Sequence, residues 1–117
     1  MAIPHRELTA DGFEMQIGVN HLGHFYLTHL LWDRIKKAKK PRIINVSAKA
    51  HRGFFNNLNN NTIDFDDLGS TRDYTAALAY TRSKAANILF TKELQRKIDQ
   101  EGFEAYTYCL HPGVVRT

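Results

Sequence analysis

Apolar residues between Phe13 and Leu31 recur at two interleaved helical spacings. Phe13, Ile17, Leu27 and Leu31 make one stripe; Met15, Val19, Leu22, Tyr26 and Leu30 make another. The pattern predicts a helix from about Asp11 to about Lys37, with Thr9 or Asp11 as its N-cap. Apolar residues on two sides predict burial on two sides, as for a helix between a sheet and another surface. Asn20 interrupts this apolar run, and Gly18 and Gly23 bracket it and weaken the helix locally. Pro41 closes the helix, and the β-branched run "RIINVS" (42–47) predicts a strand. Residues 48 to about 72 carry no regular period. Within them "NNLNNNT" reads as a solvated loop, and an unstructured connection of this length is uncommon. A second helix is predicted from about Tyr74 to about Gln100, with Gly102 as its stop. "EAYTYCL" (104–110) predicts a second strand, broken by the Pro-Gly turn of "HPGVV". The order helix, strand, helix, strand predicts an α/β fold with a parallel sheet and right-handed crossovers.

The 117 residues, 43% hydrophobic and 24% charged, suit one soluble globular unit. No apolar run approaches the roughly 20 residues that a membrane-spanning helix needs. The opening "MAIPHRELTADGFE" lacks the basic-then-apolar layout of a signal peptide, so the default compartment is cytoplasmic. A single cysteine, Cys109, excludes an internal disulfide framework and fits a reducing compartment. The net charge of +4 is concentrated in "DRIKKAKKPR" (33–42). Such a run suits either an anionic partner or a helix end, where cations complement the carbonyl dipoles. No aromatic stacking groups or nucleic-acid motif accompany it, so no nucleic-acid partner is expected.

Other clusters add little. Asp64, Asp66 and Asp67 lack metal-ligand spacing and read as caps and solvated charges. Asn60–Asn61–Thr62 is formally a glycosylation sequon, discounted without a secretory signal. His21 and His24 are three apart with His29 nearby, but no third ligand with a fixed partner is evident, and no metal is expected. His111 reads as a backbone-bonding residue before the Pro-Gly turn.

The chemistry lies in "ALAYTRSKAANILF" (77–90), where Tyr80 and Lys84 are four apart and share a helix face. A phenol ordinarily titrates near 10, and a fixed neighbouring cation favours its ionised form. The pair therefore suits acid/base work, with the ammonium also able to hold a hydroxylated ligand. A half-buried tyrosine beside a lysine reaching solvent is the plainer alternative on this spacing alone.

The wider context resembles the short-chain dehydrogenase/reductase family: "YTRSKAAN" on a helix, after a strand ending "NVS" and before one ending "HPG". "DGFEMQIGVNHLGHFYLTHLL", "SKAANILF" and "HPGVVRT" resemble its retinol dehydrogenase-like branch, and the likeness runs from Leu8 to Thr117. The resemblance implies a doubly wound, Rossmann-like parallel sheet and hydride transfer between NADP or NAD and a lipophilic alcohol, aldehyde or ketone. By the same resemblance Tyr80 is the general acid/base, Lys84 assists it and bonds the nicotinamide ribose, and Asn20 holds a relay water. Pro112, Gly113 and Thr117 match the turn lining the nicotinamide pocket. The family's habit of dimerising through the two corresponding helices implies a homodimer.

Two departures from the family pattern stand out. Its strand ends in two serines, of which the second polarises the substrate oxygen; here Ala48 occupies that position and Ser47 precedes it. Alternate strand residues face opposite sides, so Ser47 takes the role only through a local bulge. No Gly-rich strand-to-helix turn, the family's pyrophosphate cradle, occurs in the chain. Residues 1–117 thus correspond to the central to C-terminal part of a domain about twice as long, without its N-terminal Gly-rich βαβ unit and its C-terminal substrate segment. A fragment of this kind is expected to turn over weakly or not at all. The alternative is a catalytically inactive remnant or interaction module of the same fold. A longer form with a membrane anchor is compatible with either.

Overall fold

The computed structural model describes residues 3–52 and 63–113. The Asn-rich stretch, its sequon and Thr117 lie outside these residues. The first helical region is built from four pieces: α1 (Met15–Ile17), a π-turn (Gly18–Leu22), α2 (Gly23–Leu30) and α3 (Trp32–Lys37). It starts at Met15 because the chain before it folds back on itself. Leu8 and Glu14 form an antiparallel bridge, Gly12 turns the chain at φ +83°, and the Met15 N–H reaches the Glu7 carbonyl at 2.9 Å. The N-cap is therefore neither Thr9 nor Asp11. It is Glu14, whose buried carboxylate accepts from the Gln16 and Ile17 N–H groups at 2.9 and 2.8 Å. An anion there offsets the positive end of the helix. Thr9 instead accepts from the Phe13 N–H and closes the preceding turn.

The weak point between the two glycines is a real change of geometry. The Gly23 N–H bonds the Gly18 carbonyl, five residues back, giving a wide turn with Asn20 at its centre. A second break falls at Leu31, between α2 and α3. The expected burial on two sides is absent. Ile17 is buried, but Val19, Tyr26, Leu27 and Leu30 are exposed, Leu30 to 61%. Among the described residues, the second long helix is the helix or strand packed against this region.

Strand β1 (Arg42–Val46) and strand β2 (Tyr106–Leu110) pair in parallel, Arg42 opposite Tyr106 and Val46 opposite Leu110. Between them runs α4 (Ala76–Glu101), the expected crossover helix. Its N-cap is Thr75, whose hydroxyl accepts from the Leu78 N–H at 3.1 Å. Gly102 ends it in the left-handed conformation at φ +73°, where a side chain would strain the backbone. Tyr74, predicted as its first residue, instead donates its hydroxyl to the Ile3 carbonyl at 2.7 Å. A short 3₁₀ turn, Lys49–Arg52, occupies part of the predicted irregular region.

The core joins Leu94, Ile98 and Ala105, flanked by Trp32, Ile43, Phe90 and Phe103. Much of the rest of the helix–sheet contact is polar. Asn45 donates to the Thr91 hydroxyl at 2.9 Å, and Gln95 accepts from the Thr107 N–H at 2.8 Å. The opposite sheet face, with Ile44, Val46, Tyr106, Tyr108 and Leu110, is exposed. Parallel sheets are ordinarily covered on both faces. In the basic run, Lys36 pairs with Glu101 at 3.1 Å and Lys40 with Glu104 at 3.4 Å, and Arg34, Lys36 and Lys37 fall in the last turn of α3. Among the described residues no helix is long and apolar enough to cross a membrane.

Asp67 caps its loop as the sequence predicts. The Thr71 and Arg72 N–H groups and the Thr71 hydroxyl hold its carboxyl well below the usual carboxylate range. Its contribution to stability is thus complete above about pH 4 and is lost as pH falls through the depressed folded value. Urea midpoints measured from pH 6 downward should fall less steeply for Asp67→Asn than for the parent. Ile98 is fully buried at the helix–sheet junction, so Ile98→Ala should cost about 2–5 kcal/mol in urea unfolding.

Candidate active site

The candidate residues converge beside the carboxyl ends of β1 and β2, the edge where open α/β sheets place ligands. Tyr80 and Lys84 sit one turn apart on α4, and the Lys84 ammonium lies 5.7 Å from the centre of the Tyr80 ring. Lys84 donates to the carbonyl of Val46, the last residue of β1, at 3.2 Å. Burial pushes the Lys84 ammonium below the ordinary lysine value, while Cys109 on β2 acts in the opposite direction.

Asn20 reaches the same helix from the π-turn. Its amide donates to the buried Ser83 hydroxyl at 3.0 Å, and Ser83 donates in turn to the Tyr80 carbonyl at 2.8 Å. Asn20 therefore approaches the Tyr80 turn of α4 through Ser83. Its main-chain carbonyl accepts from the Asn87 amide at 3.0 Å, and His24 Nδ1 lies 3.1 Å from the same oxygen. The amide in an apolar helix is thus a connector between two helices.

Ser47 is buried, and its hydroxyl donates to the Lys84 main-chain carbonyl at 2.8 Å. Its N–H donates to the Leu110 carbonyl at 2.7 Å, extending the parallel ladder one residue past β1. Ala48, at the family's second-serine position, supplies a carbonyl to the following turn. The His51 ring contacts that carbonyl at 2.6 Å and the His51 N–H bonds it at 3.0 Å. A cleft of about 170 Å³ opens here, lined by Ser47, His51, Ile88, Cys109, Leu110 and His111. Pro112 and Gly113 follow β2 at this edge, both exposed, with Gly113 at φ +81°. His21 Nδ1 lies 3.1 Å from Asn87 Oδ1, and its ring packs edge-on against Phe90. Burial pushes the His21 pKa down, against the Asn87 hydrogen bond. No group of three metal-binding side chains occurs among the described residues.

Two residues of this site escape a reading by spacing alone. Ser83 and Asn87 are both buried, and both bond the π-turn. The signal for Asn87 was available: it lies three residues after Lys84 and seven after Tyr80, on one helical face.

No protein-family model matches the chain. Human retinol dehydrogenase 11 is 50% identical over 109 residues, 93% of this chain and 31% of that protein. Human retinol dehydrogenase 13 is 51% identical over 118 residues, covering 100% of this chain and 33% of that protein. A crystal structure of an uncharacterized protein from Mycobacterium Paratuberculosis matches with a TM-score of 0.84 at 43% identity, covering 100% of this chain and 40% of that one. The chain therefore has an α/β fold of the type found in short-chain dehydrogenases/reductases. It is the retinol dehydrogenase-like branch of that family that it resembles, over nearly its whole length. It spans about a third of the length of the curated relatives it matches.

Ser83 links Asn20 to α4 through a fully buried hydroxyl. Ser83→Ala should lower the thermal midpoint and leave the Asn20 amide without its acceptor, read as loss of protection of that side-chain amide in hydrogen exchange.

Proposed function

We propose that these residues form the proton-transfer part of an NAD(P)(H)-dependent oxidoreductase that interconverts a lipophilic alcohol and a carbonyl. In this reading residues 1–117 are the central to C-terminal part of a doubly wound, Rossmann-like domain. The observation that carries it is the convergence of Tyr80, Lys84 and the Asn20 turn at the carboxyl edge of a parallel pair. The names of the relatives suggest a retinoid as the lipophilic substrate.

Tyr80 takes the proton from the substrate hydroxyl in oxidation and returns one to the carbonyl oxygen in reduction. Lys84, held through Val46, places its ammonium 5.7 Å from the centre of the phenol ring. An ammonium has three donors, and among the described residues Lys84 gives one of them to Val46, so its donor set fits a ribose hydroxyl pair. Pro112 and Gly113 border the same edge. Lys84, Pro112 and Gly113 would hold the nicotinamide end of NADP or NAD, which when bound would supply or take up the hydride. A pyrophosphate cradle is absent from the sequence, so the fit extends to the nicotinamide end only. A second reading, a catalytically inactive interaction module, is favoured by the exposed apolar sheet face from Ile44 to Leu110.

A chimera separates the two. Residues 1–117 replace the aligned segment of human retinol dehydrogenase 13, and retinol oxidation is followed with either cofactor. Turnover is expected, and Tyr80→Phe should lower it by about 10²–10⁴. A folded chimera with no turnover, or with turnover indifferent to Tyr80→Phe, overturns the proposal. In the same chimera Ala48→Ser should raise turnover, because a hydroxyl there adds a preorganised partner for the substrate oxygen.

A further inference from the structure

We infer that Asn87 is a positioning residue that fixes the Asn20 turn, the end of β1 and Lys84 relative to one another, a role that rests on the function proposed above. Three elements carry the candidate chemistry, and Asn87 is bonded to two of them while riding on the third. It is buried on α4, three residues beyond Lys84. Its amide nitrogen donates to the Asn20 carbonyl at 3.0 Å and to the Val46 carbonyl at 3.1 Å. Lys84 donates to the same Val46 oxygen at 3.2 Å. One carbonyl is thus shared between the ammonium and the amide, and its position sets where Lys84 rests beside Tyr80.

The hydrogen-bond pattern fixes the amide. Both of its N–H donors are needed by carbonyls, which cannot donate, so Oδ1 must be the atom facing His21. His21 therefore carries its proton on Nδ1 and leaves Nε2 bare. Every polar atom of the Asn87 side chain is occupied, and each bond goes to a different residue. A side chain serving stability alone needs no such convergence; the nearby Asn45–Thr91 bond joins helix and sheet with a single contact between side chains. Removing the Asn87 amide takes one donor from each of the Asn20 and Val46 carbonyls, leaves Lys84 as the remaining side-chain donor to Val46, and unties the π-turn from the end of β1. Among the described residues, the titratable groups facing Lys84 are Tyr80 on its own helix and Cys109 on β2.

The test uses the 117-residue chain with nitrogen-labelled lysine and histidine, followed by NMR against pH. In the parent, His21 should show the Nδ1-protonated tautomer and Lys84 should titrate below the other lysines. In Asn87→Ala the Lys84 titration should move up towards the ordinary lysine value. Thr91→Val, which breaks the bond from Asn45 and the bond to the Asn87 main-chain carbonyl while leaving the Asn87 side chain its three partners, should lower the thermal midpoint and leave Lys84 unmoved. An Nε2-protonated His21 in the parent overturns the proposal without any variant. So does a Lys84 titration that is the same in Asn87→Ala, or one that Thr91→Val shifts equally. In the chimera, Asn87→Ala should lower kcat by about 10–100-fold. Loss of activity in Tyr80→Phe with unchanged kcat in Asn87→Ala overturns this inference alone, whereas indifference to Tyr80→Phe overturns the function.

Discussion

The carbonyl oxygen of Val46 is the point on which the site depends. It ends β1, it accepts from both Lys84 and Asn87, and through Asn87 it is tied to the Asn20 turn. A backbone carbonyl in a strand is held by the ladder on either side, so it moves less than any side chain around it. Anchoring an ammonium to such an atom restricts a long and flexible side chain, whose freedom otherwise costs up to about 2 kcal/mol to remove. The strand thus serves as a ruler against which the helix chemistry is set.

The packing around that point is unusual for its polarity. Thr81, Ser83, Asn87 and Thr91 are buried along α4, where a crossover helix would ordinarily present aliphatic side chains. Each finds a partner: Thr81 the Ala50 carbonyl, Ser83 the Tyr80 carbonyl, Thr91 the Asn87 carbonyl. Buried polar groups with satisfied bonds contribute only modestly to stability, but they cost heavily when misaligned. Such a face specifies one register between helix and strands. Apolar packing would permit several, and the proposed proton-transfer site needs one.

Local signals made α4 and the two strands legible in the sequence. Gly102 and the β-branched run before Ser47 set limits by short-range chemistry, and the structure follows the predicted bounds within one or two residues. Tyr80 and Lys84 were legible for the same reason, since helical spacing alone brings them together. The first helix was harder. Its cap is an acidic residue fixed by a fold-back hairpin, a tertiary device, and its stripes were drawn for an uninterrupted period. Ser83 remained hidden because its partner is contributed from elsewhere in the chain, and Asn87 shows its helical face in the sequence but not the carbonyls it bonds.

The turn between Gly18 and Gly23 works as a phase shifter. Ile17 and Phe25 are eight residues apart, so a regular helix would point them about 80° away from each other at about 100° per residue. Absorbing one residue in the wider turn makes the interval count as seven, which brings them within about 20°. Both then line one apolar groove against Ala86 and Phe90 of α4. A heptad has been hidden inside an octad, and hydrophobic bookkeeping that assumes a constant pitch will miss it.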